Sequence, residues 1–201
     1  MEHALQPPSQ PIAAPSVQET RDQALEEAFR THHTLVYHAA FRVTGNSADA
    51  EDAVQTVFLR LARRTDGIGA AEASPGYLCR AAVNAALDLL RAKRRQGAAG
   101  IVEQREGRQG NDAVEATDPA PLADERMRVR ELRAALRRAL VELHPRAAEA
   151  FVLRSFEGWT NPEIARLFGT SQAVIAVTVF RARRRLRREL GPLVPGAQES
   201  I

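Results

Sequence analysis

Between Arg181 and Arg188 the chain places six arginines in eight residues. Guanidinium groups at that density do no covalent chemistry. They bind phosphates, through paired hydrogen bonds and release of counterions. Acids gather elsewhere: Asp49, Glu51 and Asp52 fall within four residues that hold no base, with Gln55 a turn later. A third group is mixed. Asn84, Asp88 and Arg91 recur at four- and three-residue intervals, preceded by Arg80 and followed by Lys93, Arg94 and Arg95. The formal net charge is only +3, so segregation says more than the total. One surface suits phosphates and another a basic partner, against the plainer reading of charge kept for solubility.

The remaining chemistry is sparse. Cys79 is the single cysteine, which rules out an intrachain disulfide or a cysteine-rich zinc site. The five histidines, His32 and His33 among them, show no ligand spacing. Neither a nucleophile–base pair nor a metal cluster is visible, so the chain is expected to be no enzyme and to need no cofactor or metal. Its apolar runs are too short to span a bilayer, and the N-terminus lacks a basic segment followed by an apolar core. The expectation is a cytoplasmic protein without membrane insertion.

Helices must position these groups. Hydrophobic residues make up 44% of the chain but aromatics only 5%, so cores of Leu, Val and Ala are expected. Strand-like alternation is nearly absent. The arginines end a stretch, residues 160–190, that reads as two helices and a tight turn. Thr160 caps the first, with Pro162 in its opening turn and Glu163 at the reciprocal capping position. Gly169 stops it. Ser171 caps the second, whose Ile175, Val179, Ala182, Leu186 and Leu190 recur at helical spacing. The pair suggests a helix-turn-helix that binds nucleic acid, although any small helical domain can contain a capped pair.

Upstream, residues 1–18 hold four prolines and predict a disordered arm. A helix is expected from about Val17 to Val43, burying Leu25, Ala28, Phe29, His32, Val36, Ala39 and Ala40. A second, from about Ser47 to Arg64 with Ser47 as cap, packs through Ala50, Val54, Val57, Phe58 and Leu61. Its acids lie near the positive end of its dipole. That polar side is either solvated or docks on a basic surface, and periodicity does not choose. After a loop over 65–73, Ser74 and Pro75 open a third helix to about Arg95, packed through Leu78, Ala81, Ala82, Ala85 and Leu89. Its polar side fits a nucleic-acid face or a solvated one paired along the helix.

The polar, glycine-rich segment 96–121 predicts a flexible linker. Beyond it a helix from Leu122 to Leu143 packs through Met127, Leu132, Leu136, Leu140 and Leu143. Another opens at Pro145 and reaches Phe156, with Ala147, Ala150, Phe151 and Leu153 in its core. The predicted architecture is all-α: two small helical domains, 19–95 and 122–190, joined by the linker, with residues 191–201 fraying.

Three motifs in this order resemble the two-domain, extracytoplasmic-function (ECF) sigma factors of bacterial RNA polymerase. They are LVYHAAFRVTGNSADAEDAVQTVFLRLARR at 35–64, SPGYLCRAAVNAALDLLRAKRR at 74–95, and residues 140–186, which resemble sigma region 4. The resemblance implies a polymerase specificity subunit in transcription initiation. Asp49, Glu51, Asp52 and Gln55 match the surface that docks on core RNA polymerase, and the loop around Asp66–Glu72 the receiver of a flipped −10 base. Arg80, Asn84, Asp88, Arg91, Lys93, Arg94 and Arg95 match the face that binds −10 promoter DNA and assists strand opening. Ser171, Gln172, Ala173, Ala176, Thr178, Arg181, Arg183, Arg184 and Arg187 match the −35 contact. The linker matches the segment that threads near the RNA exit path. An anti-sigma factor is a further partner of such proteins.

Departures cluster on the reading helix. The family commonly carries lysine, arginine and histidine where this chain has Ala176, Thr178 and Phe180; Tyr77 stands for tryptophan, and Thr56 for glutamate. A face of Gln172, Ala173, Ala176, Val177 and Phe180 cannot make the bidentate arginine–guanine contact, but it suits thymine methyls or a protein. Core-polymerase binding and −10 function are therefore expected more firmly than independent −35 reading. The alternatives are a sigma-like adaptor and a stand-alone helix-turn-helix regulator.

Overall fold

In the computed structural model the described residues are 17–63, 74–98 and 123–193. The predicted arm up to residue 16, the loop around 66–72, the linker between 99 and 122 and the tail from 194 lie outside them. The described residues form seven α-helices and a final 3-10 turn, Gly191–Leu193: α1 (Val17–Thr44), α2 (Ser47–Ala62), α3 (Pro75–Ala98), α4 (Ala123–Glu142), α5 (Pro145–Ser155), α6 (Asn161–Phe168) and α7 (Gln172–Leu190).

Helices α1 to α3 pack on one another as an N-terminal unit, and α4 to α7 as a C-terminal unit. Val36, Ala39, Ala40 and Val43 of α1 meet Ala50, Ala53, Val57 and Leu61 of α2, and Leu78, Ala82 and Ala85 of α3. Removing a Leu, Val or Ile side chain from water stabilises by about 1.5–3 kcal/mol, so these rows outweigh the weak propensity of the β-branched residues. Asn46 caps α2: its Oδ1 accepts from the Asp49 N–H at 3.0 Å. The predicted cap, Ser47, is already the first helical residue. Both are good caps, and spacing could not separate neighbours one residue apart.

In the C-terminal unit Leu140, Leu143, Ala148, Val152, Leu153, Ile164, Ala165, Ile175, Val179, Ala182 and Leu186 are buried. Two predicted core residues are not. Met127 is exposed along with the rest of 125–131 in α4; Ala135 and Ala139 are buried further along it. Phe29 of α1 is 46% exposed and rests edge-on against Phe58.

Sequence reasoning missed that the two units share one hydrophobic cluster. Helix α3 packs on α1 and α2 on one side and on α4 and α5 on the other. Cys79, Val83, Ala86 and Leu87 are thus buried alongside the predicted face, of which Ala81 and Leu89 are only half-buried. Gly76 permits a close approach between the units: a Cβ there would sit 2.9 Å from Cη2 of Trp159.

Candidate nucleic-acid and partner interface

The helix pair forms as the sequence predicts. Thr160 accepts from the Glu163 N–H, while Glu163 Oε2 accepts from the Thr160 N–H at 2.7 Å and its hydroxyl at 2.6 Å. The Thr160 hydroxyl and backbone bonds hold the Glu163 carboxyl below the usual carboxylate range. Gly169 adopts φ +62°, a left-handed conformation that costs a side-chain-bearing residue about 1–2 kcal/mol. The Thr170 N–H then reaches the Ala165 carbonyl at 2.9 Å, and Ser171 Oγ accepts from Val174 N–H. The chain turns through 107° between α6 and α7. That angle holds α7 out as a second, projecting helix.

Ile175, Val179, Ala182 and Leu186 bury one side of α7. The outer side divides in two. Toward its N-terminus lie Ser171, Gln172, Ala173, Val174, Ala176, Val177 and Phe180, all exposed, with Phe180 at 66%. Thr178, predicted as a polar contact, is half-buried and donates to the Val174 carbonyl at 2.7 Å. Its hydroxyl serves its own helix. Toward the C-terminus Arg181, Arg183, Arg184, Arg187 and Arg188 are exposed, and among the described residues none makes an ion pair. Arg185 alone is paired, with Glu189 at 2.9 Å. Five solvated guanidiniums on one helix form a phosphate-binding surface; the apolar patch ahead of them offers methyl and ring contacts.

On α2 the acids separate. Glu51, Asp52 and Gln55 are exposed, and Glu51 and Gln55 border a groove of about 390 Å³ floored by Phe29, Tyr37 and Val54. Phe29 and Gln55 also line an adjoining groove of about 540 Å³ with Leu25, Phe58 and Leu59. Sequence reasoning missed these grooves by assigning Phe29 to the core. Asp49 departs from its neighbours: it is 8% exposed, and Lys93 Nζ lies 2.5 Å from its Oδ1. Arg137 of α4 also senses it. Burial and then Arg133 lower the Arg137 pKa, and the Asp49 charge raises it. Asp49 braces α2 to α3 through Lys93, and the outward acids are Glu51 and Asp52.

Helix α3 carries all seven predicted polar residues, but many are engaged within the molecule. Arg80 Nε–H donates to Glu149 Oε1 at 2.5 Å and Nη1–H to the Leu167 carbonyl at 2.9 Å, with the guanidinium 4.7 Å from the Phe168 ring centre. Asn84 Nδ2 donates to the same Glu149 oxygen at 3.0 Å. Arg91 pairs with Asp88 at 3.1 Å, Lys93 with Asp49, and Arg94 with Glu142 at 2.5 Å. Arg95 is exposed in the last turn. Glu149 was not anticipated, although a carboxylate inside AAEAFVL, otherwise apolar, is a visible anomaly.

Among the described residues no group of three His, Cys, Asp or Glu could hold a metal ion, and no single helix is long and apolar enough to cross a membrane. A two-unit helical protein, with a projecting helix-turn-helix and separate basic and acidic faces, falls in the class of nucleic-acid-binding transcription proteins. Residues 28–96 match the sigma-70 region 2 family and residues 133–186 match sigma-70 region 4. Three relatives extend the comparison over most of the chain. The ECF RNA polymerase sigma factor SigE of Mycolicibacterium smegmatis is 31% identical over 189 residues, covering 91% of this chain and 69% of that protein. SigM, an ECF RNA polymerase sigma factor of Mycobacterium tuberculosis, is 30% identical over 86% of this chain and 80% of its own. CarQ of Myxococcus xanthus, an RNA polymerase sigma factor, is 32% identical over 85% and 91%. The chain belongs to the sigma-70 family, in its ECF group. Sigma proteins act in transcription and are not enzymes.

Proposed function

We propose that the protein is a sigma factor that recruits core RNA polymerase to selected promoters, assists opening at the −10 element and contacts the −35 element. The N-terminal unit, 19–95, docks on polymerase through Glu51, Asp52 and Gln55 beside the Phe29 groove. Asp49 contributes by fixing α2 rather than by direct contact. Arg80, Asn84, Asp88, Arg91, Lys93, Arg94 and Arg95 of α3 face −10 DNA, with the 66–72 loop as receiver of an unstacked base. The C-terminal unit, 122–190, is tethered by residues 96–121 and lays α7 on the −35 duplex. There its five free arginines hold phosphates, and Gln172, Ala173, Ala176, Val177 and Phe180 meet base edges with little power to select guanine. The protein works in the cytoplasm, and an anti-sigma factor is its expected regulator.

The observation that carries this reading is the pairing, in one chain, of an unpaired acidic rim over an apolar groove with an unpaired arginine row on a projecting helix. The first suits a basic protein surface and the second a duplex. Reconstitution tests it: purified protein is mixed with bacterial core polymerase and assayed for run-off transcription from a genomic promoter library. Specific transcripts are expected. A protein that binds core polymerase without ever supporting initiation refutes the reading in favour of a sigma-like adaptor. One that shifts promoter DNA without polymerase, and supports no initiation with it, is a stand-alone regulator.

A further inference from the structure

We propose that Glu149 is an intramolecular stand-in for a nucleic-acid phosphate, and that its contact with Arg80 and Asn84 clasps the DNA-facing side of α3 shut in the free chain. The inference rests on the assignment of α3 to promoter DNA made above. A carboxylate and a phosphate present the same chemistry to a guanidinium: an anion with acceptor oxygens spaced for its N–H donors. Glu149 Oε1 takes both the Arg80 Nε–H and the Asn84 amide. The carboxylate is nearly buried, with 6% of its side chain exposed. The Leu167 carbonyl and the Phe168 ring complete the Arg80 site, so α5 and α6 both hold it. Around this centre, Glu157 pairs with Arg42 at 2.6 Å, Glu142 pairs with Arg94, and Trp159 packs over Gly76. Arg80 and Asn84 therefore cannot meet a DNA strand while the two units are together, whereas Arg94, half-exposed, stays within reach.

Opening frees two of the seven α3 groups at once and separates α5 from the α3 face. The free chain then binds single-stranded DNA only through its open fraction, because apparent affinity falls in proportion to the competent population. Any partner that parts the units raises that affinity, and DNA that captures Arg80 favours the parted form.

The test uses the full chain without polymerase. Wild type and Glu149→Gln are titrated, at one fixed salt concentration, onto a fluorescent AT-rich single-stranded oligonucleotide. Emission of Trp159, the only tryptophan, reports contact between the units. Glu149→Gln should shift that emission and bind on the order of fourfold tighter, as expected when the open fraction rises from about one chain in ten to about four in ten. Arg80→Ala combined with Glu149→Gln should lose the gain. A second arm avoids dependence on that variant. Arg94→Cys with Glu142→Cys, both half-exposed on α3 and α4, joined by a reducible bis-thiol reagent, locks the units together, and binding should be lost until reduction restores it. A locked chain that binds as well as the reduced one overturns the proposal. So does Glu149→Gln with unchanged affinity, whether or not its emission shifts. If wild type fails to associate with core polymerase while these DNA results hold, the clasp stands and only the sigma reading falls.

Discussion

The contact between Arg80 and Glu149 should respond unequally to loss of its two partners. Arg80→Ala removes the Nε–H and Nη1–H bonds and leaves the Glu149 carboxylate with one neutral donor, Asn84. Breaking a fully buried pair in this way costs about 3–5 kcal/mol. Arg80 is less than fully buried, with 27% of its side chain exposed, so water can refill part of the space. About 2–3 kcal/mol is then expected for Arg80→Ala. Glu149→Gln keeps the shape and an acceptor oxygen, and lets the partly exposed guanidinium turn to solvent, for a loss of about 1 kcal/mol. The double variant should be little worse than Arg80→Ala alone, a coupling of about 1 kcal/mol. Urea titration at matched salt, followed by Trp159 emission and by helix content, reads all four corners of the cycle. Trp159 reports separation of the units, and helix content reports melting. Strictly additive losses, or a Glu149→Gln loss equal to that of Arg80→Ala, would refute the view that a buried charge on Glu149 sets the asymmetry.

Other residues give sharper single readings. Asp52→Lys, on the exposed rim of α2, should weaken binding to core polymerase while leaving the thermal midpoint nearly unchanged, since surface substitutions cost within about 0.5 kcal/mol; unchanged affinity would reject a docking role. Arg183→Ala and Arg184→Ala should each lower duplex affinity about equally across sequences and reduce the salt slope by about one. Ala176→Gly in the same titration should leave that slope where it was. The Cys79 thiol is buried beside Glu157, and burial, followed by that carboxylate, pushes its pKa up to about 12. It therefore stays protonated at pH 8 and should react with a thiol reagent only as fast as the surrounding structure opens. Prompt labelling of native protein would contradict that environment.

What could be read directly from the sequence was local. The Thr160–Glu163 box, the Gly169 turn and the Ser171 cap each depend on residues within four positions, and all three form as expected. The buried stripe of α7 also follows from its period alone. Errors arose where a distant partner decides. Cys79, Val83 and Leu87 escaped the predicted core because α1 and α2 need only one side of α3, whereas α5 takes another. Asp49 was grouped with Glu51 and Asp52 by proximity, but a lysine forty-four residues later fixes it inward. Phe29 looked internal by type, yet it forms an exposed groove floor, a place that hydrophobicity cannot distinguish from a core. Glu149 marked the meeting of the units, and only the folded chain shows what it faces.

The side of α3 turned toward α5 carries more than ionic groups. Cys79 lies on it, and helical spacing puts Val83 and Leu87 there too, all almost wholly removed from water. Parting the units therefore wets an oily strip along with the basic residues. A chain held apart with nothing over that strip is expected to be cut faster by a protease in solution than the closed chain, because the open population exposes it.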